Sequence, residues 1–118
     1  MTLAGEASCA DATARGTAFA ITVAFELVDG AFAEFHRLVR ENAAASVDRE
    51  PDCLRFDVLT PLGGEAGRDV FLYEIYRDRA AFDRHLASDH FLAFDRLTRD
   101  LVKKKTVVAF AVAEHAKG

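Results

Sequence analysis

Two histidines that lie close together in the sequence, His85 and His90, are the side chains best suited to move a proton. An unperturbed imidazole has a pKa of about 6.5, so it gains and loses a proton readily at neutral pH. The segment HLASDH is not the HExxH pattern of zinc enzymes, and a metal site would need further ligands with converging geometry. We therefore predict a proton-transfer role for these histidines and no metal.

Two other polar residues, Asn42 and Glu74, fall within otherwise apolar patterns. Asn42 lies on the apolar stripe of a predicted helix, where it either makes a structural hydrogen bond or lines a cavity between helix and sheet. Glu74 lies between Leu72 and Tyr76 in a predicted strand whose two faces cannot be ranked from sequence. If Glu74 points inward, burial raises its pKa and suits it to proton transfer; the alternative is an exposed strand carboxylate.

The elements that must position these residues follow from the spacing of apolar side chains. Alternation with period two predicts a first strand over 18–28, and helical spacing then predicts a helix from about 31 to 50 that Pro51 ends. The remaining predicted elements are strands over 54–60, 70–77 and 106–112, and helices over 79–87 and 90–102. The order is β-α-β-β-α-β, with the second helical stretch broken in two. This predicts an α+β, ferredoxin-like fold, a four-stranded antiparallel sheet with helices on one face.

The second face of this sheet is unusually apolar. Alanines from the first and last strands and larger residues from the third strand are predicted to lie there, where a sheet that meets water carries polar side chains. Such a face is suited to packing against another sheet. We therefore expect a homodimer that forms through the sheet faces.

Length and composition limit the remaining possibilities. The 118 residues allow one domain, predicted over 18–113, with a flexible N-terminal extension over 1–17 and a tail over 114–118. The formal net charge is −4, and the run Lys103-Lys104-Lys105 is interpreted as the charged C-terminus of a helix. Nucleic acid is therefore not expected as a partner.

Several further classes lack support in the sequence. No segment approaches 18 uninterrupted apolar residues, so no spanning helix is expected. Nucleotide-binding and nucleophile-elbow motifs are missing, and we expect no cofactor. Cys9 and Cys53 have unlike settings, which suits two free thiols in a reducing cytoplasm.

The runs RENAAASVDREPDCLRFDVL and FLYEIYRDRAAFDRHLASDHF resemble the antibiotic biosynthesis monooxygenase domain family over about residues 17–113. Asp52 replaces the glycine that is common in the turn of this family. The positions that match are Glu50, Pro51, Cys53, Phe56, Tyr73, Glu74, His85, His90 and Phe91.

The resemblance implies a ferredoxin-like dimer with a pocket between each sheet and its helices. Characterised relatives include small quinol and polyketide monooxygenases that use oxygen without metal, flavin or haem. Others degrade haem, and one branch isomerises phosphorylated autoinducer-2. The segments FDVL and YEIY are most similar to the quinol-monooxygenase and isomerase branch.

The leading hypothesis is oxidation of a small phenolic, quinol or polyketide-like substrate by O₂ without a cofactor. His85 or His90 would be the base, Asn42 would orient the substrate oxygen, and Glu74 would hold a histidine in the needed tautomer. The residues predicted to bind substrate are Phe35, Ser46, Phe56, Tyr76 and Phe91.

Two alternatives belong to other functional classes. One is an isomerase of a small phosphorylated hydroxydione, in which Arg55 or Arg77 would bind the phosphate if it faces inward. The other is a dimeric small-molecule binder with no catalysis, since a fold does not fix a function.

Overall fold

The computed structural model describes residues 18–63 and 67–113. Four strands form one antiparallel sheet, three α-helices cover one side of it, and the spatial strand order is β2-β3-β1-β4. The elements are β1 (Phe19–Leu27), α1 (Phe32–Arg49), β2 (Cys53–Leu59), β3 (Asp69–Tyr76), α2 (Arg79–Leu86), α3 (Asp89–Thr98), a 3₁₀ turn (Arg99–Leu101) and β4 (Val102–Ala111). The predicted α+β ferredoxin-like class and element order are confirmed. The predicted N-terminal extension and C-terminal tail lie outside the described residues.

The main core lies between the sheet and the helices. The large residues of β1 all face the helices, as the alternation predicts: Phe19, Ile21, Val23, Phe25 and Leu27 are buried there. Glu74 in β3 faces the same side, because it pairs with Ile21 of β1 and with Phe56 of β2. The sequence left the orientation of Glu74 open, and the sheet register decides it.

The ends of the helices follow local chemistry. α1 ends at Arg49, just before Glu50 and Pro51, since a residue that precedes proline avoids the helical region. Asp78 accepts a hydrogen bond from the Ala81 amide at 2.8 Å and caps α2. Ser88 accepts one from the Phe91 amide at 3.2 Å and caps α3.

The boundary between the last helix and β4 differs from the prediction. α3 ends at Thr98, and β4 begins at Val102, so Lys103, Lys104 and Lys105 belong to a strand. Their interpretation as a helix C-terminus is wrong. Pairing with β1 extends β4 backwards through the lysines, and Val28 N–H donates to the Leu101 carbonyl at 3.0 Å. This non-local ladder outweighs the local helical spacing.

The second face of the sheet is apolar in part. Ala20 and Ile75 are buried there, while the larger exposed residues on this face are Leu59, Phe71, Val108 and Phe110. None of the described helices is long and apolar enough to cross a membrane.

Candidate functional site

A cavity of about 680 Å³ opens between the helices and the sheet. Most of its lining is aromatic or aliphatic, with only a few polar side chains. The residues that line it are Ile21, Val23, Phe25, Asn42, Phe56, Leu72, Glu74, Phe82, His85, Leu86, Phe91, Phe94, Lys105, Val107, Val108 and Ala109. An apolar cleft with a few converging polar groups is the usual form of a small-molecule site.

Asn42 reaches this cavity from α1. Its side chain is buried, yet its Oδ1 atom has no hydrogen-bond partner among the described residues. Ser46 does not donate to Asn42 Oδ1, because its hydroxyl donates instead to the Asn42 backbone carbonyl at 2.7 Å. A buried amide oxygen without a partner costs about 1–3 kcal/mol, which a ligand that donates a hydrogen bond would recover. Of the two interpretations that the sequence allowed, this geometry favours the cavity-lining one.

One carboxylate, Glu50, contacts both histidines. Its Oε2 atom lies 2.8 Å from Nδ1 of His85 and is also hydrogen-bonded to Nε2 of His90. The two imidazole ring centroids are 5.9 Å apart, and His85 is fully buried. Of these three residues, only His85 lines the cavity.

Local structure explains how the three side chains meet. Glu50 is the first residue after α1 and has an extended backbone, with φ −108° and ψ 102°. His85 is in the last turn of α2 and His90 in the first turn of α3. Ser88 joins the two helices, because its hydroxyl donates to the His85 carbonyl at 2.7 Å while it caps α3.

The environment of His85 keeps its imidazole neutral. Burial lowers its pKa below the ordinary value, and the hydrogen bond and charge of Glu50 offset this only in part. When Nδ1–H donates to the Glu50 carboxylate, the lone pair is on Nε2, for which the described residues provide no hydrogen bond. A carboxylate that fixes the tautomer in this way leaves the other ring nitrogen free to act as a base.

Glu74 is a buried acid on the cavity wall. Burial raises its pKa to about 7, against the lowering effects of a hydrogen bond from Tyr76 and of the charge on Lys105. The Tyr76 hydroxyl donates to Glu74 Oε1 at 2.6 Å. The prediction that Glu74 holds a histidine is wrong, because the carboxylate that contacts both imidazoles is Glu50.

The other predicted site residues divide into two groups. Phe56 and Phe91 line the cavity, and the Phe91 ring centroid lies 5.2 Å from that of His85. Phe35, Ser46 and Tyr76 are fully buried and are not in the lining. Phe35 packs its ring against Phe25 and Phe94, with centroids 4.8 and 5.7 Å away, so it supports the wall from behind.

Neither arginine that was considered for phosphate binding reaches the cavity. Arg55 projects from the other face of the sheet, where it pairs with Asp57 at 2.6 Å. Arg77 lies 3.5 Å from Asp52. The cationic side chain that lines the cavity is Lys105.

Sequence reasoning missed the roles of Glu50 and Lys105. A signal existed for Glu50, which matches the family pattern and precedes the helix-ending Pro51. For Lys105, the signal was the period-two spacing of the last strand, which puts Lys105 on the same face as Val107. The interpretation of the lysine run as a helix C-terminus prevented the use of this signal.

Glu50, His85 and His90 also form the one cluster of potential metal ligands in the described part of the chain. Their ligand atoms lie within 4.8 Å of one another. Two imidazoles and a carboxylate are a donor set that zinc and non-haem iron accept. Hydrogen bonds already account for the contacts of this cluster, and absence of a metal from the reaction stays a prediction.

Cys53 is not a suitable nucleophile. It is a buried free cysteine, and its pKa is raised to about 12 by burial and by the charges of Glu50 and Glu74. Its thiol therefore stays protonated at neutral pH.

The fold and the cavity together define a ferredoxin-like α+β protein with an apolar cavity between sheet and helices. A family model described as "Antibiotic biosynthesis monooxygenase" matches residues 18–97, and the chain belongs to this family. The predicted family resemblance is thereby confirmed. A comparison with curated proteins gives no match.

Solved structures from other organisms share the fold. PA3566 from Pseudomonas aeruginosa is 23% identical, with a TM-score of 0.75 over 83% of this chain and 96% of that one. Rv0793 from Mycobacterium tuberculosis is 23% identical, with a TM-score of 0.75 over 85% of this chain and 99% of that one. A Nitrosomonas europaea protein named "Putative antibiotic biosynthesis monooxygenase" is 23% identical, with a TM-score of 0.77 over 83% of this chain and 92% of that one. At these identities the likeness concerns the fold.

Proposed function

We propose that this protein is a cofactor-independent monooxygenase that oxidises a small phenolic, quinol or polyketide-like substrate with O₂. One observation carries the proposal: Asn42, whose buried amide oxygen has no described partner, and His85 line the same aromatic cavity. Family membership and the name of the Nitrosomonas europaea neighbour agree with this chemistry.

The first step is removal of a phenolic proton by His85. Glu50 holds Nδ1–H, so Nε2 accepts the proton, and the carboxylate stabilises the imidazolium that forms. The lowered pKa of His85 keeps the base form populated at neutral pH. Asn42 orients the ring, because its unpaired Oδ1 can accept a hydrogen bond from a substrate hydroxyl.

The second step transfers electrons from the substrate anion to O₂. The phenolate gives one electron to O₂, and the phenoxyl radical and superoxide then combine at a ring carbon to form a peroxide. Protonation gives a hydroperoxide, which loses the hydrogen of that carbon and cleaves its O–O bond. One oxygen atom remains as a carbonyl and the other leaves as water. Glu74, with a pKa of about 7, is available as a proton carrier at the cavity wall.

The test uses dithranol, a tricyclic phenol whose ring methylene is oxidised to the carbonyl of danthron with release of water. The wild-type protein is expected to consume O₂. When the O₂ is isotopically labelled, one labelled oxygen atom should appear in danthron.

His85→Gln should lower kcat by at least about a hundredfold, because general-base catalysis contributes factors of about 10²–10⁴. His36→Gln is the matched control, since His36 stacks on Phe32 outside the cavity. Unchanged turnover in His85→Gln, with the His85→Gln/His90→Gln double variant equally active, would remove the assignment.

Chelation tests whether the Glu50 cluster takes part as a metal site. Turnover is expected to survive exhaustive dialysis against a chelator. Loss of activity that added zinc or ferrous iron restores would instead assign the cluster as a metal centre and contradict the cofactor-free mechanism.

An isomerase remains the second candidate because Lys105 supplies a positive charge that a phosphate would use. Such an enzyme would shuttle a proton through an enediolate and would need no oxygen. Product formation from a phosphorylated hydroxydione under nitrogen would support the isomerase, and strict dependence on O₂ supports the monooxygenase. Binding without turnover of either substrate would favour the non-catalytic alternative.

For the assembly, we propose a homodimer in which two copies pack through the second faces of their sheets. The exposed Phe71 and Phe110 on that face support this arrangement. It would leave the cavity, on the helix-covered side, free for substrate. A cytoplasmic location is likewise proposed, and the buried free thiol of Cys53 is consistent with a reducing compartment.

A further inference from the structure

Lys105 is a charged side chain in a wall that is otherwise mainly apolar. In β4 it lies opposite Phe25, on the face of the sheet that the helices cover, and it lines the cavity. Its Nζ atom is 5.7 Å from the centroid of the Phe25 ring. The lysine therefore lies next to an aromatic wall that a bound ring would also contact.

No described carboxylate forms an ion pair with Lys105. The neighbouring Lys103 differs in this respect, because its ammonium lies 3.5 Å from Glu26. The one acidic residue in the described lining, Glu74, is engaged by the Tyr76 hydroxyl. Glu74 is close enough for the charge of Lys105 to lower its pKa in part, but no described carboxylate forms an ion pair with the Lys105 ammonium, which is therefore available to an anionic group of a ligand.

The cavity also offers a second polar contact, the amide of Asn42. Unlike Lys105, Asn42 is buried, and its Oδ1 atom lacks a protein partner. The phenylalanine rings of the lining provide apolar contact area for a planar ligand. A ligand that satisfies all three features carries an aromatic system, a hydroxyl and an anionic group.

We infer that the cavity selects aromatic substrates that bear an anionic group such as a carboxylate, and that Lys105 binds this group while Asn42 binds the hydroxyl. The inference rests on the proposed function for the reaction, but it concerns recognition and is tested without turnover. Lys105 is then a specificity-determining residue of the site.

A structural explanation of Lys105 competes with this one. β4 is an edge strand, and inward-pointing charges on edge strands prevent pairing with other chains. In that case Lys105 would protect the sheet and would not distinguish a neutral ligand from an anionic one. The two explanations therefore differ in a measurable quantity.

The experiment compares the binding of danthron with that of rhein, the same anthraquinone with one added carboxylate. Neither compound is a substrate of the proposed oxidation. At low salt the wild-type protein is expected to bind rhein up to about fivefold more tightly than danthron, the upper limit for a partly exposed charge pair. Lys105→Met should reduce this preference to about one while leaving the affinity for danthron unchanged. Lys105→Arg should retain the preference.

Lys104→Met is the matched control, because it removes the same charge from the adjacent position on the opposite face of β4, outside this cavity. It should keep the preference for rhein. The preference should also shrink as salt increases, since screening weakens a partly exposed ion pair.

Three results would overturn the inference: a wild-type protein that does not prefer rhein, a Lys105→Met variant that keeps the preference, or no binding of either compound. Failure here and failure of the proposed function are distinguishable. Dithranol turnover without a preference for rhein contradicts only the role of Lys105. A preference for rhein that Lys105→Met abolishes, without dithranol turnover, contradicts only the oxygenase.

Discussion

At the scale of single residues, the site combines three polar groups that are held in different ways. Glu50 fixes His85 by a hydrogen bond of 2.8 Å, and Tyr76 fixes Glu74 by one of 2.6 Å. Only the Asn42 amide oxygen lacks a protein partner among the described buried side chains. Among the described residues this atom therefore lacks the partner that a buried polar group usually has.

Replacing Asn42 should lower the activity of the protein and raise its stability. Asn42→Leu should lower kcat for dithranol by about a hundredfold, because it removes the amide that accepts from and orients a substrate hydroxyl, and misplacing a reacting group can cost about that factor. The same change should raise the free energy of unfolding by about 1 kcal/mol, since it removes a buried polar group without a partner. Oxygen uptake and urea denaturation measure the two effects. Ser46→Ala is the control, because the Ser46 hydroxyl bonds only to backbone. A less stable Asn42→Leu protein with full activity would show a structural role.

Glu74 should make stability depend on pH. Its pKa is about 7 in the folded protein and 4.5 in a model peptide, so the folded state binds more protons between these values. The contribution of Glu74 to the free energy of unfolding is full below pH 4.5 and is lost as the pH rises through about 7.

Glu74→Gln should therefore stabilise the protein by about 1–3 kcal/mol at pH 8 and by much less at pH 5. Thermal unfolding at the two pH values measures the difference. Glu34→Gln, which changes an exposed carboxylate of α1, should show no such contrast. An equal effect of Glu74→Gln at both pH values would contradict the assignment of a raised pKa.

At the scale of elements, the junction between α2 and α3 determines the geometry of the histidines. Ser88 accepts from the Phe91 amide and donates to the His85 carbonyl, so one hydroxyl connects the two helices. Glu50, at the end of α1, contacts a histidine from each. The site is thus assembled where three helix ends meet.

Removing this connection should reduce both stability and activity. Ser88→Ala is expected to lower the free energy of unfolding by about 1 kcal/mol, the usual effect of a lost helix cap. Asp78→Ala removes the cap of α2 and should lower the free energy of unfolding by a similar amount. Only Ser88→Ala should also lower kcat, because only Ser88 joins the two histidine-bearing helices. Urea denaturation and oxygen uptake test this, and equal kcat values in the two variants would contradict it.

At the scale of the whole molecule, the two faces of the sheet have different environments. One face carries the core and the cavity, and the other exposes Phe71 and Phe110 to 38% and 47% beside the buried Ala20. Exposed large apolar side chains on a sheet face are typical of a surface that packs against another.

A charge on this face should prevent the proposed dimer. Phe110→Glu is expected to convert a dimer into a chain of 12.9 kDa in analytical ultracentrifugation, because a carboxylate would be buried at the interface. Leu92→Glu is the control, since Leu92 is 49% exposed on the helix side. A monomeric wild-type protein, or a dimeric Phe110→Glu variant, would contradict the proposed assembly.

Local patterns determined the element order and the fold class. Alternation in β1 buries Phe19 and Ile21 beneath the helices, and Pro51, Asp78 and Ser88 mark helix ends by their own backbone and side-chain chemistry. These signals act between residues close in sequence, so they can be read without a structure. Asn42 and His85 were identified in the same way, as polar residues on apolar faces.

Only the tertiary structure decided which groups meet. Glu50 reaches His85 and His90 across 35 and 40 residues, and pairing with β1 turned the lysine run into a strand that directs Lys105 into the cavity. The register between strands likewise placed Glu74 on the helix side, beside Tyr76 and away from the histidines. Contacts between distant residues depend on how whole elements pack, and no local pattern encodes this. The sequence therefore identified the two histidines as candidates for proton transfer, and the fold identified the carboxylate that contacts them and the lysine at the cavity wall.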